Sequence, residues 1–148
     1  MQTVSVIAAS LAVIQGAAPY HTDAGSRVDT ELREFGEADA FPRVVVVETD
    51  FSISSRSAAS VIGDQTVMCE GYIPAKRRDA ESVAHRLRAD LLRALNKVSP
   101  GAFANIPAAL GVVNKLELGP ESAIRRRVDG LDYVVVQVSC KLTCAVYA

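Results

Sequence analysis

One stretch restricts the possible folds of this chain more than any other: residues 79–98, DAESVAHRLRADLLRALNKV, its one long amphipathic pattern. Ala80, Val83, Ala84, Leu87, Leu91, Ala94, Leu95 and Val98 recur at steps of three and four, which aligns them along one stripe of a 3.6-residue helix. Glu81, His85, Arg86, Arg88, Asp90, Arg93 and Lys97 fall on the opposite, charged face, where Asp90 is placed to meet Arg93 one turn on. Asp79 is the expected N-cap, Glu81 suits the positive end of the helix dipole, and Ser99-Pro100-Gly101 cannot continue the helix. At about 1.5 Å per residue the helix is roughly 30 Å long. Its apolar stripe needs a broad partner, and the valine-rich segments around it predict a sheet.

The 148 residues suffice for one domain with a proper core, so residues 1–148 are read as a single unit. Hydrophobic residues make up 49% of the chain, mostly Ala and Val, with no Trp, which leaves few platforms for stacking on bases. Sixteen basic residues against 17 acidic ones give a net charge of −1, so nothing in the charge draws the chain to DNA or an anionic membrane. VSVIAASLAVIQGAA has the apolar run of a secretory leader, but the first basic residue is Arg27 and the run is too short to span a bilayer. Neither a leader nor a span is expected. Cys140 and Cys144 would stand roughly 13 Å apart on one strand face, too far for a disulfide. With Cys69 they are expected to be buried, reduced thiols of a cytoplasmic protein.

Val4, Ile7, Ala8, Leu11 and Ile14 share a helical face, with Thr3 as cap and Gly16 and Pro19 as terminators. Residues 20–41 are polar and irregular, an extended arm in which Val28, Leu32 and Phe35 are the apolar points. Residues 42–49 contain four consecutive valines, the mark of a central strand buried on both faces. Residues 52–65 are small and polar without a periodic face, which predicts a mobile loop long enough to be functional. Residues 66–73 alternate as a second strand. Residues 100–107 are a connector pegged by Phe103 and Ile106, and residues 112–118 form a strand closed by Gly119-Pro120. Asp129-Gly130 is a tight-turn signal between residues 124–128 and a last strand over 131–147. The order predicts an α+β domain: a mainly antiparallel sheet of about four to five strands with two main helices packed on one face.

No catalytic constellation emerges. His21 lies in Pro19-Tyr20-His21-Thr22-Asp23 and His85 on the charged helix face, and the chain lacks HExxH, GxxxxGK, GxSxG and GxGxxG. No enzyme activity, cofactor or metal is expected. Glu31, Glu34, Glu37 and Asp39 make a solvated acidic stretch within the arm. Two basic runs stand out, Lys76-Arg77-Arg78 and Arg125-Arg126-Arg127. The first precedes a helix N-terminus, the unfavourable end for positive charge, so a contact site stands beside the plainer reading of a solvated turn.

Taken together, IQGAAPYHTDAG, the arm reaching Arg27-Val28, FPRVVVVETD, TVMCEGYIPA, DAESVAHRLRADLLRAL and the closing DGLDYVVVQVSCKLTCAVY resemble the tail terminator (tail completion) proteins of long-tailed bacteriophages. The resemblance covers almost the whole chain and rests on the order of elements, not on one diagnostic motif. It implies a structural virion protein at the tail–neck junction, made in the host cytoplasm. It further implies a homo-oligomeric ring, expected to be a hexamer, capping the head-proximal end of the tail tube. Such a ring ends tube growth, meets the tail tube protein and a neck or head-completion protein, and lets DNA pass in transit. Apolar surface on the second face of 44–47 and on Val135 and Tyr147 is expected to be covered by a neighbouring subunit. Lys76, Arg77, Arg78, Arg125, Arg126 and Arg127 would then meet Glu31, Glu34 and Glu37 across subunits. A head-completion ring and a small cytoplasmic binding domain are the alternatives.

Overall fold

The computed structural model describes residues 2–31, 35, 39–103 and 112–147. Its elements are α1 (Gln2–Leu11), β1 (Val28–Asp29), β2 (Arg43–Arg56), β3 (Ser60–Pro74), α2 (Ala80–Leu95), β4 (Val112–Val128) and β5 (Leu131–Tyr147), with short 3-10 turns at Ala24–Ser26 and Pro100–Phe103. This is an α+β fold with one mixed sheet in the order β1-β2-β3-β5-β4. Among the described residues only the short β1 runs parallel to its neighbour; the other pairs are antiparallel. Because β5 lies between β3 and β4, those two strands run parallel and α2 is the crossover that joins them, a split β-α-β unit.

The helix face of the sheet carries Val44 and Val46 of β2, Val67, Cys69 and Ile73 of β3, and Val134, Val136, Val138, Cys140 and Leu142 of β5. Against it pack Val4, Ile7 and Leu11 of α1 and Val83, Leu87, Leu91 and Leu95 of α2, the stripe read from the sequence. Strand alternation sends Val45 to the other face, where it is also buried, so the valine run is covered on both sides.

Several sequence expectations are corrected. Residues 52–65 are not a loop: they form the outer halves of β2 and β3, joined through residues 57–59. Residues 49–59 are exposed, so burial imposes no alternating apolar pattern there, and periodicity cannot register the strand. Gly119-Pro120 does not end β4 but lies within a register shift between Leu118 and Glu121. An edge strand tolerates proline because one side has no ladder to lose. Asp79 makes no side-chain cap; its carboxylate takes Arg77 instead. Thr3 lies inside α1 and accepts a hydrogen bond from Gln65 Nε2 at 3.0 Å. Ile106 lies outside the described residues.

Asp90 departs furthest from expectation. It is fully buried beside the apolar stripe of α2. Its carboxylate accepts hydrogen bonds from the backbone N–H of His21 (2.9 and 3.1 Å), the N–H of Thr22 (2.7 Å) and the Thr22 hydroxyl (2.8 Å). The same segment is fixed to the end of α1, with Gly16 N–H donating to Thr22 O and Gly25 N–H to Ile14 O. One carboxylate therefore locks the start of the arm against both helices.

All three thiols are free and buried. Addition of a reducing agent is expected to leave the melting temperature unchanged within about 1 °C, since no disulfide restrains the unfolded chain. A fall of several degrees in a thermal melt would contradict this.

Candidate interaction surface

The second face of the sheet bears a small core of its own. Val45 of β2, Tyr72 of β3, Tyr133 and Val135 of β5 and Phe35 of the arm are buried together, with Phe41, Val47 and Val128 packed on them. Phe35 makes edge-on contacts with Phe41, Tyr72 and Tyr133 at centroid distances of 5.5, 5.2 and 5.8 Å, the geometry that aromatic quadrupoles favour. Arg43 stands 5.9 Å from the Phe35 ring and pairs with Asp29 at 3.1 Å and Asp39 at 3.7 Å. The expectation that a neighbouring subunit must cover Val44–Val47 and Val135 is thus corrected: the chain's own aromatic residues supply that cover. Tyr147's side chain lies outside the described residues.

Next to this core runs a polar row. Glu70 is buried and accepts from Gln137 Nε2 at 2.6 Å, from the Tyr72 hydroxyl at 3.3 Å and from Arg126 Nη1 at 2.9 Å. Arg126 also donates to the Tyr72 oxygen at 2.7 Å, and Ser122 donates to Gln137 Oε1. Burial and the Glu70 charge push the Tyr72 hydroxyl pKa up, and burial with Asp39 and Asp129 does the same for Tyr133. Burial and Asp64 raise the Cys144 thiol. Groups raised in the folded state favour their protonated forms. Their contribution is whole below the unfolded values, 9.0 for cysteine and 10.0 for tyrosine, and is lost as pH climbs through the folded ones. Urea midpoints are expected to fall steadily from about pH 9 to about pH 11. A flat profile across that range would contradict the assignment.

The two basic runs meet at one end of the sheet. Lys76, in the turn between β3 and α2, and Arg125, on β4, line one cleft of about 820 Å³ with Asp39, Phe41, Leu131 and Asp132. Arg77 pairs with Asp79, Arg125 with Glu81 and Arg127 with Asp132 at 2.8, 2.9 and 3.1 Å, all largely exposed. Such pairs are worth about 0–1 kcal/mol, so they exchange partners at little cost. Arg126 is committed to Glu70 and Tyr72. Lys76 and Arg78 are exposed and make no ion pair among the described residues. Glu31 is exposed on the other side of the sheet, while Glu34 and Glu37 lie outside the described residues.

Glu31 lines a second cleft, of about 690 Å³, with Val4, Thr30, Val47, Glu48, Thr49, Asp50 and Phe51 along the open side of β2. Three carboxylates and no basic residue face this space. Sequence reasoning missed Glu70 and Gln137 as partners, although alternation already placed Glu70 beside Tyr72 on the second face. It had no signal for Asp90.

No group of three or more metal-binding side chains occurs among the described residues, and no described helix is long and apolar enough to cross a membrane. No protein-family model matches the chain, and no curated protein matches it.

Proposed function

We propose that the chain is a structural subunit of a ring, most simply of six copies, that caps the head-proximal end of a phage tail tube. In that role it stops tube growth and gives the neck a joining surface. One observation carries this reading: the sheet is open along two opposite sides among the described residues, β4 on one and β2 beyond β1 on the other. Two different open sides suit a head-to-tail contact, and such contacts close into rings when the rotation between copies allows. The sequence resemblance supplies the tail. Its partners in this role are further copies of itself, the tail tube protein and a neck or head-completion protein, with DNA only in transit.

Light scattering of the purified protein, alone and with tube protein, is expected to give the mass of a closed ring, and negative-stain images are expected to show annular particles. A phage lacking the gene is expected to make tails of uncontrolled length that fail to join heads. A monomer under every condition, or normal tails joined to heads without the gene, would overturn the proposal.

A further inference from the structure

Resting on that ring proposal, we infer that one copy's β4 adds to the open side of the next copy's β2, so that the sheet runs on from subunit to subunit. β1 pairs only with Val44 and Val45, leaving residues 46–56 of β2 with one neighbour among the described residues. Among the described residues β4 ends the sheet on the other side. Along each open side every second residue turns its backbone N–H and C=O outward, a template for another strand.

Direction agrees. Three successive antiparallel pairings make β2 and β4 antiparallel within one copy. Rotation about an axis along the strands preserves each strand's direction, so β4 would meet the next copy's β2 in the same antiparallel sense that builds the rest of the sheet.

Height and side-chain chemistry agree as well. Leu116 stands opposite Leu142, Leu142 opposite Gln65 and Gln65 opposite Phe51, which puts Leu116 and Phe51 at one level. The same chain of partners links Val113 through Cys144 and Gly63 to Ile53. All of these sit on the helix face of the sheet. Phe51 and Ile53 are exposed by 41% and 51%, the large apolar groups of the exposed stretch 49–59. Leu116 and Leu118 are only partly buried at the opposite side. Joining the two sides would cover Phe51 and Ile53 with Leu116 and its neighbours, as cross-strand apolar pairs do inside a sheet. The cleft beside Glu48, Asp50 and Phe51 lies along the open side of β2, where an incoming strand would run.

Two variants test the pairing. Ile53→Lys places a charge on an open strand without disturbing a buried group, and is expected to leave the urea midpoint unchanged while raising the concentration needed for assembly by about tenfold or more. Separately prepared Phe51→Cys and Leu116→Cys proteins, mixed and oxidised, are expected to give a disulfide-linked dimer that neither gives alone. If the parent assembles but Ile53→Lys assembles equally well, or the mixture gives no mixed dimer, the strand pairing is overturned and the ring stands. A parent that remains monomeric overturns both.

Discussion

Asp90→Ala is expected to lower the unfolding free energy by about 3–5 kcal/mol, the range for removing one side of a buried charged hydrogen-bond cluster. The carboxylate is fully buried, and its removal would strand the His21 and Thr22 N–H groups and the Thr22 hydroxyl. Neither N–H has another acceptor among the described residues, and a cavity left by truncation adds to the loss. Asp90→Asn keeps one acceptor oxygen but turns an NH₂ group toward donors, so it is expected to fall between the parent and the alanine variant. Urea unfolding followed by circular dichroism measures both. A loss below about 1 kcal/mol for Asp90→Ala would mean that water replaces the carboxylate, and the arm's attachment would need another account.

Gly25→Ala is the second large effect, expected at about 3 kcal/mol, the upper part of the range for overpacking. A Cβ there would lie 2.6 Å from both the Leu11 and Ile14 carbonyl oxygens and 2.9 Å from that of Ala12. These are backbone atoms at the end of α1, held by hydrogen bonds that include Gly25 N–H to Ile14 O at 2.8 Å. They cannot swing aside as a side chain would. Gly101→Ala is the matched control, because among the described residues a Cβ there meets only Ser99 Oγ at 3.6 Å, and its effect is expected within about 0.5 kcal/mol. Equal unfolding midpoints for the two variants would contradict the crowding at Gly25.

Both effects lie at the junction of α1, the arm and α2, and neither was visible in the sequence. Asp90 occupies a helix position whose neighbours Arg86, Arg88 and Arg93 are charged, so local pattern assigned it to solvent and to Arg93. Burial came from a segment 68 residues away in the chain that turns two N–H groups and a hydroxyl toward it. Gly25 belongs to an irregular stretch, where composition says nothing of how closely two backbones approach. The two basic runs were conspicuous as charge, but only the hairpin turn at Asp129-Gly130 and the end of β3 bring Lys76 and Arg125 to one cleft.

By itself the sequence determined the features governed by local period. These are the stripe of α2, the two-faced burial of Val44 to Val46, the alternation of β3 and β5 and the tight turn before β5, because helix and strand repeats mark which residues must leave water. Tertiary structure alone decided what depends on partners distant in the chain. It extended β2 and β3 into a hairpin whose residues 49–59 are exposed and carry no burial pattern, and it carried β4 through Gly119-Pro120 at the sheet's margin. It buried Asp90 under the arm and packed Phe35 onto Val45, Tyr72, Tyr133 and Val135 of the second face. Among the described residues it also left β2 and β4 as the open sides. A strand's neighbours follow from the order in which the whole chain packs, and no local repeat encodes that order.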